Sequence, residues 1–208
     1  MIVSPRGDTF VRGVDSAGSI KSGSYIADVI ATVIEDVGAQ NVVQVVMDNA
    51  KNCKNAGRIL KRRYPHVFPS GCNTHSMNLV LKDWYKNDDT KWFSSIVDTA
   101  RQVVRFMLKR QRVLDIFRPR MSIMLKLPAE TRFCTHFYTF ESLLRNKDVV
   151  CETFTCMAFH EWQSNQPENV KEKIKLLKSS LAKKAWWNSV MDAYHVMMPV
   201  MYAIRNLD

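Results

Sequence analysis

Residues 41–81 read NVVQVVMDNAKNCKNAGRILKRRYPHVFPSGCNTHSMNLVL, and the order of patterns in this stretch decides the fold. Val42, Val43, Val45 and Val46 make a short, β-branched apolar run. Such a run suits a strand buried on both faces of a parallel sheet. Asp48-Asn49-Ala50 ends it, and a helical pattern follows, with Ala50, Cys53, Ala56 and Gly57 on one side and Leu60 beyond. A second strand is predicted from His66 to Gly71. It delivers Cys72 to the start of a second helix that carries His75 and Asn78. On that helix His75, Asn78 and Lys82 share one stripe, and Met77, Val80, Leu81 and Trp84 lie toward a core. Two parallel strands, each followed by a helix, place Asp48 and Cys72 along one sheet edge, where α/β folds put their chemistry.

Outward from this centre, the chain divides by composition near Asp88. Before it, Ile2 to Ser4 and Thr9 to Val14 read as strands joined through a Pro5-Arg6-Gly7-Asp8 turn. Ser22 or Ser24 caps a helix with apolar positions Ile26, Val29, Ile30, Val33, Ile34 and Val37, stopped by Gly38. After it, strand signals largely vanish. Helices are predicted over 92–107, with Phe93, Ile96, Val97, Ala100, Val103, Val104 and Met107 inward, and over 111–117. Further helices are predicted over 130–146, 149–162, 171–181 and 185–206, the last bent at Pro199. The division is an α/β part over 1–87 and an all-α part over 88–208.

The 208 residues, 46% of them apolar, suffice for a sizeable folded core. No apolar run is long enough for a transmembrane helix, so no membrane partner is expected. Met1-Ile2-Val3-Ser4-Pro5 lacks the charged start and apolar stretch of a signal peptide. Five irregularly spaced cysteines suit reduced thiols and an intracellular setting. The net charge is +10, and it is uneven. Between Arg101 and Arg132 nine basic residues face only Asp115 and Glu130. A cluster of this kind is the footprint of a polyanion-binding face, or else a solvated helical surface.

The motifs MDNAKNCKNAG and CNTHSMNLVL resemble the core of hAT-superfamily transposases, in particular plant transposase-derived proteins carrying a domain of unknown function. VSPRGDTFVRGVDSAG and ETRFCTHF resemble further segments of that family. The resemblance implies an incomplete ribonuclease-H-like sheet followed by a helical insertion region. It makes Asp48 the second acid of an Asp-Asp-Glu triad, and Asn49, Asn52, Cys72, His75 and Asn78 the accompanying motif. Asp48 also fits as a cap of the helix behind it. By the same resemblance the first acid would lie upstream of Ile2 and the third beyond the insertion, so the chain is expected to be truncated at both ends.

Active relatives use Mg²⁺, which needs several converging carboxylates. This chain alone is expected to bind none; Asp48 would serve as a metal ligand only if a partner chain supplied the other acids. Cys72 and His75 invite a zinc reading, but no second ligand pair stands at suitable spacing. His75 reads equally as a structural histidine and Cys72 as a buried thiol.

Arg110, Arg112, Arg118, Arg120, Arg132 and Phe133 are the expected nucleic-acid-binding residues, the last two by resemblance. Phe133 fits equally as a core residue of its helix. The expectation is a domesticated, hAT-like nuclear protein, not catalytic by itself, that binds DNA weakly and without sequence preference. The alternative is a protein-interaction or structural module. Without the family's first strand, the Val42 strand would pair with the 66–71 strand and less securely with the hairpin, in a distorted sheet of three or four strands. It would leave an edge through which another chain could associate.

Overall fold

The computed structural model describes residues 1–129 and 132–207. The chain forms two compact units, Met1–Ser76 and the residues from Met77 onward. The first is α/β and the second all-α among the described residues, as the composition shift implies. The division falls inside a helix, ahead of the predicted point near Asp88.

In the first unit β1 (Ile2–Ser4) and β2 (Gly7–Thr9) form an antiparallel hairpin. The predicted second strand, Thr9 to Val14, is corrected. A tight turn at Pro5-Arg6 sets Ser4 opposite Gly7 and hence Ile2 opposite Thr9, so the paired stretch lies before Thr9. Gly7 takes φ 116° there, a conformation that glycine adopts without a Cβ clash. Helix α1 (Gly23–Val37) starts at Ser22, whose Oγ accepts the Tyr25 amide at 3.2 Å. It stops at Gly38, with φ 87°.

Strand β3 (Gln44–Met47) leads into α2 (Lys51–Arg63), and β4 (Phe68–Gly71) returns parallel to β3, with Gln44 opposite Phe68 and Met47 opposite Gly71. The ladder gains a bond at each end, from Phe68 N to Val43 O at 2.9 Å and from Cys72 N to Met47 O at 2.6 Å. The pairing of these two strands follows the sequence pattern. The predicted sheet of three or four strands does not form: the hairpin and the β3–β4 pair are separate two-stranded sheets.

A compact core of Ala27, Ala31, Ile34, Ala56, Leu60, Tyr64 and Val67 holds α1 and α2 together. Small residues let the helices and β4 approach closely. A Cβ on Gly57 would sit 3.1 Å from the Pro69 Cβ. The reading of β3 as buried on both faces is corrected as well. Val45 and Met47 pack against this core, while Val46 is 58% exposed and Phe68 61%. Helix α2 lies against the strands, and no described element of this unit buries Val46 or Phe68.

Helix α3 (Asn73–Lys86) starts in the first unit and runs into the second. Its Leu81 is buried and Met77 partly so, whereas Val80 and Trp84, expected inward, are exposed. Helix α4 (Lys91–Leu108) buries all seven predicted positions and Phe106 besides. It packs against α5 (Gln111–Phe117), α6 (His136–Arg145), α9 (Glu168–Leu181) and α10 (Lys184–Leu207).

The predicted 130–146 helix begins later. Glu130 and Thr131 lie outside the described residues, Phe133–Thr135 forms a short 3-10 turn, and α6 starts at His136. The predicted 149–162 helix is two, α7 (Lys147–Thr155) and α8 (Met157–Ser164), broken at an extended Cys156. Just before the break the Thr155 hydroxyl bonds the Cys151 and Glu152 carbonyls. Such local bonds compete with the helical ladder. Pro199 stands inside α10, where it removes one amide from the helix.

Leu60→Ala should destabilise the chain by about 2–5 kcal/mol, whereas Val46→Thr should change stability by about 0.5 kcal/mol or less. Urea denaturation of both variants checks this. Comparable losses would mean that Val46 is packed.

Candidate functional site

The edge at the ends of β3 and β4 gathers most of the predicted motif. Asp48 is exposed, and its Oδ1 accepts the Ala50 amide at 2.8 Å, just ahead of α2. That bond holds its carboxyl below the ordinary carboxylate range, helped by the Cys53 thiol, which donates to it, and by nearby His75. Burial pushes the Cys53 thiol up, and its bond to Asp48 adds to this. Cys53 is the residue that motif reasoning missed. It stands one turn into α2, and its spacing from Asp48 was the available signal.

Asn49 Nδ2 donates to Ser76 Oγ at 2.8 Å and so joins the end of β3 to the first turn of α3. Gly71 makes room for it, since a Cβ at Gly71 would collide with the Asn49 amide oxygen. Asn52 Nδ2 donates to the Lys21 carbonyl at 3.0 Å and anchors the segment that leads into α1.

Cys72 and His75 have a simple physical relation. Cys72 immediately precedes α3, and its Sγ accepts the His75 amide at 3.4 Å. This is the bond a serine or threonine makes as a helix N-cap, with a thiol in the place of the hydroxyl. The Cys-x-x-His spacing is thus the cap-to-third-residue spacing of a helix start. Zinc ligation needs more donors than this pair supplies.

Among the described residues no group of three or more His, Cys, Asp or Glu side chains is arranged to hold a metal ion. Mg²⁺ takes six oxygen ligands in near-ideal octahedral geometry, bound through carboxylates, waters and substrate phosphates. Asp48, already engaged by the Ala50 amide and the Cys53 thiol, does not fit that role by itself. Beside this edge a cleft of about 470 Å³ runs between α2 and β4. Asp48 stands in its wall with Lys54, Arg58 and Lys61.

Residues 1–103 match the model of a family described as a domain of unknown function, DUF659. This is a domain found in plant hAT-like transposase-derived proteins. The DUF659 match takes in the whole first unit, all of α3 and most of α4. No curated protein and no solved structure matches the chain.

Beyond the DUF659 segment lie the expected nucleic-acid-binding residues, and they differ in availability. Arg110 packs its guanidinium 4.0 Å from the centre of the Phe106 ring and donates to the Phe106 carbonyl. Burial draws its pKa down. Arg120 is paired with Glu152 at 2.9 Å. Arg112, Arg118 and Arg132 are exposed and form no ion pair among the described residues.

Phe133 is half-buried, and its ring meets Tyr85, Phe93 and His136, at a centroid distance of 4.4 Å for the last. Asn78 of the motif belongs to this second unit. Its Oδ1 accepts the Cys134 amide at 3.0 Å and ties α3 to the Arg132–Cys134 segment. Among the described residues no helix is long and apolar enough to cross a membrane.

Replacing Cys72 separates the two readings of its motif. Cys72→Ser should keep the cap and cost little, whereas Cys72→Ala should cost about 1 kcal/mol. A chelator should leave the thermal midpoint of the unmodified chain unchanged. A lowered midpoint in chelator would show that a metal is held.

Proposed function

We propose that this chain is a transposase-derived, hAT-like protein whose first unit is a partial ribonuclease-H-like core, and that it binds nucleic acid without sequence preference. The observation that carries the reading is the set of exposed arginines on the helical unit, Arg112, Arg118 and Arg132, which form no ion pair among the described residues, in a chain of net charge +10. Arginine donates in a planar fork that matches phosphate oxygens, and a cluster of such donors attracts any polyanion. Contacts to phosphates position a protein on nucleic acid but carry no base information. DNA in the nucleus is the partner this reading implies. The DUF659 match supports the transposase-derived part.

Catalysis by the chain alone is not part of the proposal. Transfer of a phosphoryl group by the two-metal route requires ligands around both ions. Asp48 is the one carboxylate of the motif and is engaged in local hydrogen bonds. A second reading draws on a different observation. Val46 and Phe68 are exposed on the β3–β4 pair, beside Gln44 and Ser70, and an exposed apolar strand surface suits association with another protein chain. On that reading the basic surface serves solubility.

Salt separates the two. Binding to unrelated duplexes should have a Kd of roughly 10⁻⁴ to 10⁻⁶ M at physiological salt and weaken steeply as salt rises. Reversing the charge of Arg112, Arg118 and Arg132 together should weaken binding and reduce the logarithmic salt slope by about 1 for each phosphate that is no longer neutralised. Fluorescence anisotropy over a salt series measures both. A slope unchanged in the triple variant would remove these arginines from the interface.

For catalysis, incubation with labelled DNA in Mg²⁺ or Mn²⁺ should yield no cleaved or joined strands. Cleavage that disappears in Asp48→Ala would overturn this part of the proposal.

A further inference from the structure

The second unit holds a cavity of about 300 Å³ whose lining includes none of Arg112, Arg118 and Arg132. Lys82 and Lys86 of α3 line it, as do Arg101 and Arg105 of α4 and Lys109 just past its end. On each helix these residues recur four apart, so like charges stack along one stripe, an arrangement that destabilises an unliganded helix. Arg101 is partly neutralised by Asp98 at 3.2 Å. Lys82, Lys86, Arg105 and Lys109 form no ion pair, and no carboxylate lines the cavity, among the described residues. Four cations without an ion pair among the described residues, around one small volume, suit an anion.

His136, also in the wall, makes the requirement narrower. The residue is 7% exposed, and its Nε2 is buried without a hydrogen-bond partner. Buried polar atoms are seldom left unpaired. Its Nδ1 lies 2.8 Å from the Phe133 carbonyl, which can only accept, so the ring proton sits on Nδ1. Burial lowers the pKa of the ring, and Arg101 acts in the same direction, which favours the neutral form. Nε2 is then an acceptor. A bare anion would satisfy the cations but not this nitrogen. The occupant needs negative charge at one end and a hydroxyl or amino donor at the other. The volume is at the small end of ligand pockets and suits a single such unit.

We propose that this cavity is a nucleotide site: the lysines and arginines of α3 and α4 take the phosphate, and His136 Nε2 accepts a hydrogen bond from a sugar hydroxyl or base amino group. The phosphate can come from a free mononucleotide or from one nucleotide of a strand, because both present the same chemistry. The inference stands apart from the exposed-arginine surface proposed above, since Arg112, Arg118 and Arg132 do not line the cavity.

The test titrates the full chain with adenosine monophosphate, with inorganic sulfate and with a short single-stranded oligonucleotide, by calorimetry at low salt. The mononucleotide should bind about tenfold or more tightly than sulfate, because sulfate has no donor for His136. Lys82→Glu with Lys86→Glu, both at exposed positions that do not threaten folding, should weaken the mononucleotide at least about tenfold. His136→Phe should abolish the preference over sulfate, with a thermal melt to confirm that the variant folds. If it does not fold, the Lys82/Lys86 variant carries the test.

Loss of mononucleotide binding in the lysine variant with oligonucleotide binding intact supports a free-nucleotide site. Loss of both supports a strand nucleotide. Absence of mononucleotide binding to the unmodified chain, or binding unaffected by the lysine variant, overturns the proposal. Because the Arg112/Arg118/Arg132 variant should still bind the mononucleotide, failure of the duplex-binding reading is seen separately.

Discussion

Burial of one face of α4 is the constraint on which the helical unit depends. Eight of its side chains, from Phe93 to Met107, are removed from water, and α5, α6, α9 and α10 all lie against it. Each fully buried side chain of this size contributes about 1.5–3 kcal/mol, and α10, which buries Trp186, Trp187, Val190, Met197 and Met201, is the other large contributor. Arg101 and Arg105 of this helix, and Lys109 just past its end, take positions that the core does not use. The basic cavity is in this sense a by-product of the core's period. Where apolar residues claim the inward positions, the charged ones are left aligned along the outside.

The irregular segment 121–126 is held to this core by polar means. Asn146 is buried, and its side chain accepts the Ser122 amide and donates to the Ile123 carbonyl, at 2.7 and 2.8 Å. Ser142 Oγ accepts the Lys126 amide nearby. Backbone groups that enter a core must be paired, and here two side chains on α6 and just beyond it do the pairing. The aromatic group of Tyr85, Phe93, Phe133 and His136 then links α3, α4 and the start of α6.

Elements whose pattern is local were legible in the sequence. The stripe of α1, its Ser22 cap, the stripe of α4 and the limits of α5 all follow from periodicity and capping. The pairing of β3 with β4 was also legible, because a strand–helix–strand unit of this length favours parallel neighbours. What failed depended on distant partners. Val46 looks buried because its run is apolar, but burial needs a second layer that no local signal guarantees. The hairpin register turned on one tight turn. The helix break at Cys156 left no proline or glycine to announce it. At the site, Asp48, Asn49, Asn52, Cys72 and His75 were recognisable as a set, whereas the Asp48–Cys53 contact and the His136 cavity require coordinates.

The Cys72 cap bears on how the motif should be understood. Cys72 starts a helix, Asn49 latches a strand to that helix, and Asn78 fastens the next segment to it. These are tasks of folding. A requirement for stability alone is therefore enough to fix these residue types at these positions, whatever else the chain does. A spacing that looks like a ligand set is then, in its cap, latch and tie, the plan of a joint between a strand and a helix.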